Sequence, residues 1–157
     1  MNESGNLLVF RLDARRYALA LESVDRVISA VDVTPLPAAP DAVMGIINVA
    51  GQVVPVFDLR LRFRMVQRGV SPADQMILAC AEGRRVALPV DSTDGLADLP
   101  PEGWLAPEEV LAGLTHLRGI LRCGDGLILI QDLAQFLSAD ESRALDAALG
   151  CAGASGS

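Results

Sequence analysis

The sequence predicts a mainly β protein made of small barrels joined in one compact unit. Its apolar runs are short and broken by glycine or polar residues, and several fall in pairs around a turn. Repeated short hairpins within 157 residues favour small barrels over a βαβ sheet. A chain of this length suits one domain or two closely joined subdomains and can bury roughly 70% of its unfolded surface.

Leu7–Leu12 and Tyr17–Leu21 read as strands returned by the polar segment Asp13-Ala14-Arg15-Arg16. In Glu22–Ser29 the spacing of Val24, Val27 and Ile28 fits either a short helix or an irregular strand. Thr34-Pro35-Leu36-Pro37-Ala38-Ala39-Pro40 ends any regular element, because proline lacks a backbone donor and restricts the residue before it. Val43–Leu59 reads as two strands joined near Ala50-Gly51, with Pro55 demoting its strand to an edge or a bulge.

Met76–Ala81 and Arg85–Val90 form a further hairpin around Glu82-Gly83, and Leu117–Arg122 and Leu127–Ile130 another around Cys123–Gly126. Asp91–Ala112, with Pro100, Pro101, Trp104 and Pro107, reads as a long connection with a short helical piece. Ser138 and Glu141 have capping-box spacing, and Ala144, Leu145, Ala148 and Leu149 form an apolar stripe, so a C-terminal helix should pack on a barrel. Val56-Phe57-Asp58-Leu59 and Ile130-Gln131-Asp132-Leu133 each place an aspartate after an apolar strand, a position suited to capping a helical turn.

A net charge of −7 argues against general affinity for nucleic acid or an anionic membrane surface. No apolar run approaches the roughly 18–20 residues needed to cross a bilayer, and the start lacks a positive n-region, so a cytoplasmic address is expected. Cys80, Cys123 and Cys151 are widely spaced, and His116 is the single histidine, with no metal or triad pattern around it. Gly45 and Gly51 lack the context of a phosphate or dinucleotide loop. Most aspartates sit at turns, where capping is their ordinary role. No catalytic residue, cofactor or metal is therefore expected. All 13 basic residues are arginine, and Arg60, Arg62 and Arg64 would share one side of an extended segment, as a solvated face or a protein contact.

Leu36–Pro40, followed by Val43-Met44-Gly45-Ile46-Ile47-Asn48-Val49-Ala50-Gly51-Gln52-Val53-Val54-Pro55-Val56-Phe57-Asp58-Leu59-Arg60, resembles the bacterial chemotaxis coupling-protein family, the CheW-like domain family. The shared pattern is a proline-bearing loop, an apolar strand to an Asn-x-x-Gly turn, and a Pro-Val-x-Asp-Leu-Arg ending. Val86–Asp91 and Leu117–Ile120 are similar to later segments of the family, so the resemblance covers about residues 6–149.

The resemblance implies two intertwined SH3-like five-stranded β-barrel subdomains with a C-terminal helix across residues 6–149; the small, glycine- and serine-rich composition beyond them reads as a flexible tail over 150–157. It implies an adaptor coupling a chemoreceptor cytoplasmic tip to the regulatory domain of a CheA-type histidine kinase, recruited to membrane-associated receptor arrays. Relatives carry an arginine before the turn glycine and a glutamate ahead of the proline loop, where this chain has Ala50 and Arg26. The expected interaction edge is Ile47, Asn48, Val49, Ala50 and Gly51, with Arg26, Arg60 and Arg62 tuning its electrostatics. A scaffold in a non-chemotactic receptor–kinase pathway and an enzyme with a cryptic carboxylate site are the competing readings.

Overall fold

A computed structural model of the chain describes residues 6–13, 15–81, 83–98, 104–105, 117–123, 126–131, 133 and 137–156. Its elements are β1 (Asn6–Leu12), β2 (Arg15–Ala20), a 3-10 turn (Leu21–Ser23), β3 (Val24–Ser29), β4 (Val43–Val49), β5 (Gln52–Phe57), α1 (Leu59–Arg62), β6 (Gln75–Ala81), β7 (Arg84–Val90), β8 (Ser92–Asp98), β9 (Trp104–Leu105), β10 (Leu117–Cys123), β11 (Gly126–Gln131) and α2 (Ala139–Gly156). Two mixed sheets result, one in the order β8-β1-β2-β11-β10-β9 and one in the order β3-β6-β7-β5-β4. The chain lays down two strands of the first sheet, completes the second, and then returns to the first.

The expected pair of closed five-stranded barrels is not what forms: among the described residues the sheets have six and five strands, and neither closes. The prolines of the connecting loop supply a reason. Closing the five-stranded sheet would require a ladder on the free edge of β4, but that edge carries only the isolated bridge Thr34↔Ile46. Thr34 N–H donates to the Ile46 carbonyl (2.9 Å) and Ile46 N–H to the Thr34 carbonyl (2.8 Å). Pro35, Pro37 and Pro40 have no N–H with which to extend the bridge. The close approach at this bridge also explains Gly45, since a Cβ there would lie 2.2 Å from the Thr34 carbonyl oxygen.

Side-chain alternation buries each sheet on both faces. Leu8, Phe10 and Leu12 of β1 and Tyr17 and Leu19 of β2 meet Phe57 of β5, Ile77 and Ala79 of β6 and Val86, Leu88 and Val90 of β7 in one core shared by the sheets. The intervening residues of β1, Leu7 and Val9, join Ala18, Ile128 and Ile130 in a separate cluster. Ile47, Val49, Val54, Val56, Met76, Leu78 and Ala87 form a third cluster on the far face of the five-stranded sheet. Two-sided burial is why β6 and β7 read as near-continuous apolar runs.

The ambiguous segment after Leu21 is a 3-10 turn followed by a strand, with a bulge between Val24 and Arg26. Pro55 does not mark an edge, because β5 lies between β7 and β4. The β5–β7 seam is accordingly short, with the single parallel pair Val56↔Ala87 flanked by Pro55 and Pro89. The expected long connection after Asp91 begins instead with β8, which pairs with β1. As an edge strand with Asp94, Gly95 and Leu96 exposed, β8 draws its order from that ladder rather than from an apolar pattern. Pro100, Pro101, Pro107, His116 and Asp132 lie outside the described residues.

Helix α2 begins with the expected capping box: Ser138 N–H donates to Glu141 Oε1 (3.0 Å) and Glu141 N–H to Ser138 Oγ (3.1 Å). Leu145 and Ala148 of its apolar stripe are buried in the shared core, and burying a leucine there contributes about 1.5–3 kcal/mol. Among the described residues no helix is long and apolar enough to cross a membrane.

Candidate functional site

The β4–β5 hairpin turns at Ala50-Gly51 between the paired residues Val49 and Gln52. Both turn residues have positive φ, 50° at Ala50 and 85° at Gly51. This is the arrangement of a type I′ turn, whose twist matches the strands it joins. Asn48 Oδ1 accepts the Gly51 N–H at 2.9 Å and ties the turn down. Ala50 has a Cβ in a left-handed conformation, which costs roughly 1–2 kcal/mol relative to its usual backbone regions.

The expected interaction edge divides by burial. Ile47 is 4% exposed and Val49 9%, and both belong to the far-face cluster, where they support the hairpin from beneath. Asn48, Ala50 and Gly51 are exposed. Val53, absent from the sequence-based set, is 59% exposed and pairs with Asn48. Its signal was available: two residues past the turn, Val53 shares the parity of Phe57 but lies beyond the reach of the shared core.

The arginines separate just as clearly. Arg60 does not join an outward row with Arg62 and Arg64, because Leu59–Arg62 is a helical turn rather than an extended segment. Asp58 caps that turn, its Oδ1 accepting Leu61 N–H at 3.2 Å, while its Oδ2 accepts Gln67 Nε2 at 2.8 Å. Arg60 is 5% exposed and points into the junction of the sheets. Its Nη2 donates to Asp91 Oδ1 (2.7 Å) and Asp13 Oδ1 (3.2 Å). Arg62 instead pairs with Glu141 and ties α1 to α2.

Asp91 is the centre of this junction. It also accepts from Arg68, and its Oδ2 accepts Asp13 N–H at 2.6 Å. Its own N–H donates to the Arg11 carbonyl at 3.0 Å, joining the end of β7 to β1. Arg68 grips Asp74 bidentately, with both bonds 2.9 Å. Burial alone would raise the Asp74 and Asp91 carboxyls, but hydrogen bonds from Arg68 to the first and from Arg60 to the second hold both below the usual carboxylate range. The same pattern holds for Glu141, where burial is outweighed by Ser138 N–H and Arg62. Sequence spacing does not reveal this network, since Asp13, Arg60, Asp91 and the loop holding Arg68 and Asp74 are far apart in the chain.

A shallow cleft beside the network is lined in part by Met44, Phe57, Asp58, Arg60, Arg68 and Asp74. The carboxylates around it are occupied by arginine or backbone donors, and Asp74 and Asp91 are held ionised. A general acid requires the opposite shift. Among the described residues no group of three metal-ligating side chains converges.

On the surface, Arg85 of β7 donates to Gln52 Oε1 (2.9 Å) and lies 3.7 Å from Asp25 Oδ2. Arg26 of β3, 56% exposed, also approaches Asp25 Oδ2 at 3.7 Å. Two interleaved sheets, an ionic junction between them and a hairpin tied by Asn48 make up the frame. Residues 6–141 match the family described as CheW-like domain, and the chain belongs to that family. It is thus a non-catalytic adaptor linking chemoreceptors with a CheA-type histidine kinase.

The chain is 23% identical over 150 residues to "Chemotaxis protein CheW" of Treponema pallidum, covering 92% of this chain and 88% of the relative. It is 29% identical over 143 residues to "Chemotaxis protein CheW" of Klebsiella aerogenes, covering 88% and 85%. Among solved structures it superposes on the scaffolding protein TtCheW of Thermoanaerobacter tengcongensis with a TM-score of 0.79 and 27% identity, covering 88% of this chain and 95% of that one.

Proposed function

We propose that this chain bridges the cytoplasmic tip of a chemoreceptor and the regulatory domain of a CheA-type kinase, in the cytoplasm at membrane-associated receptor arrays. One docking edge is the outer part of the β4–β5 hairpin, with Asn48, Ala50, Gly51 and Val53 at the contact and Ile47 and Val49 holding it from below. The observation that carries this reading is an exposed valine of β5, two residues past a turn tied by Asn48, on the face opposite a packed cluster. An apolar group already fixed in place loses little conformational freedom on binding. Engaging two partners at once transmits receptor state as a shift in the kinase's conformational equilibrium.

Binary and ternary reconstitution with the receptor fragment and the kinase domain tests this. Val53→Asp is the appropriate probe, because Val49→Asp would bury a charge in the far-face cluster and damage the fold. Val53→Asp should weaken one binary complex by about tenfold or more, as for a central interface contact, while the melting temperature stays unchanged. Both complexes forming with unaltered affinity would move the interface away from the hairpin.

A further inference from the structure

We infer that the opposite face of the same sheet end is a second docking surface, in which Arg26 and Arg85 select a partner segment carrying Asp or Glu side chains. This rests on the adaptor reading above, which requires two surfaces and places only one of them.

Strand parity separates the faces. In β5, Val54 and Val56 belong to the far-face cluster and Phe57 to the shared core, so Gln52 turns to the far face and Val53 to the other. In β7, Ala87 lies in the far-face cluster and Val86 in the shared core, so Arg85 joins Gln52. The bulge in β3 pairs Val24 with Ala79 and Arg26 with Leu78, leaving Asp25 as the extra residue. A bulge sets two consecutive residues opposite one, which brings Asp25 and Arg26 together on the side of Leu78. A polar row therefore crosses the far face from β3 through β7 to β5, measured by the Arg26–Asp25, Arg85–Asp25 and Arg85–Gln52 contacts.

The row carries two guanidinium groups for one carboxylate, on a chain whose net charge is −7. Both approaches to Asp25 are 3.7 Å, so neither arginine makes a close ion pair there. The Arg26 side chain makes no hydrogen bond among the described residues and presents its planar donor fork from an edge strand. Guanidinium binds carboxylate bidentately, so the complementary partner is an acidic protein segment. A nucleic acid fits less well, because Asp25 sits between the two cations and the overall charge repels a polyanion.

Binding of the kinase regulatory domain and of the receptor fragment is measured separately by calorimetry for wild type, Val53→Asp, Arg26→Glu/Arg85→Glu and Arg26→Lys/Arg85→Lys. The glutamate double variant should lose about tenfold or more in affinity for one partner, and that partner's binding should lose most of its salt dependence, as for complementary charges across an interface. The other partner should bind within twofold of wild type, and it should be the one that Val53→Asp weakens. The lysine double variant should retain part of the lost affinity. Unchanged binding of both partners by the glutamate variant overturns this inference alone, as does equal weakening of both at an unaltered melting temperature. Wild-type protein that binds neither partner overturns the adaptor reading and this inference with it.

Discussion

At the junction of the sheets Arg60 is 5% exposed and donates to Asp91 and Asp13, whereas Arg26 on β3 keeps 56% of its side chain accessible and approaches Asp25 only at 3.7 Å. The residue types are the same, but the junction is a network of donors and acceptors from four segments and the far-face row is a loose string of three contacts. A buried cation must be paired, because leaving it alone costs far more than its partner contributes when present. An exposed one exchanges contacts with water at little cost and stays available to another molecule. The junction therefore secures the relative placement of the sheets, while the row is suited to external contact.

Removing one member of the junction should separate the regions most strongly. Arg60→Ala removes the buried donor shared by Asp91 and Asp13, leaving Asp91 with Arg68 and the Asp13 N–H, and should destabilise the protein by about 1.5–3 kcal/mol, the range for a hydrogen bond to a charged group. Urea unfolding measures this, and a loss under about 1 kcal/mol would show that the junction behaves like a surface pair.

Acid should act on the junction next. The Asp74, Asp91 and Glu141 carboxyls are held below their ordinary values, where burial is outweighed by arginine and backbone donors. Their stabilising contribution is full above the unfolded-state values near pH 4 and is lost as pH falls through the folded-state values. Stability should thus be level above about pH 5 and drop steeply below about pH 4. In Asp91→Asn the drop should be shallower, because one depressed carboxyl is gone, and pH-dependent unfolding curves compare the two.

The hairpin end should respond in the other direction. Ala50→Gly removes the left-handed Cβ strain at φ 50° but frees the unfolded chain, for a net gain of about 0.5–1 kcal/mol. Thermal melting should rise by a few degrees, while a fall would show that the Ala50 methyl is held by contacts. Smallest of all, Arg85→Ala should change stability by less than about 0.5 kcal/mol, as for an exposed pair. A larger loss in urea would make the row structural and remove the contrast with the junction.

The hairpin at Ala50-Gly51 and the capping box at Ser138 were legible because their signals lie within a few adjacent residues. Arg60 was misread because alternation implies one side only in an extended segment, and the Asp58 cap turns Leu59–Arg62 into a helical turn. Ser92–Asp98 was overlooked for a related reason: an edge strand ordered by its neighbour's ladder needs little apolar patterning of its own. Ile47 and Val49 could be placed on the hairpin from sequence, but their burial depended on Met76, Leu78 and Ala87 arriving from other strands.

By itself the sequence determined a β-rich chain with its central turns, its C-terminal helix start and its family membership, all properties of local backbone chemistry and ordered motifs. Tertiary structure decided that the sheets remain open, that Asp91 joins them, and which arginines face water. These outcomes depend on contacts between segments far apart in the chain, where proline-limited hydrogen bonding and the energetic demand to pair buried charge select among arrangements that local pattern leaves equal.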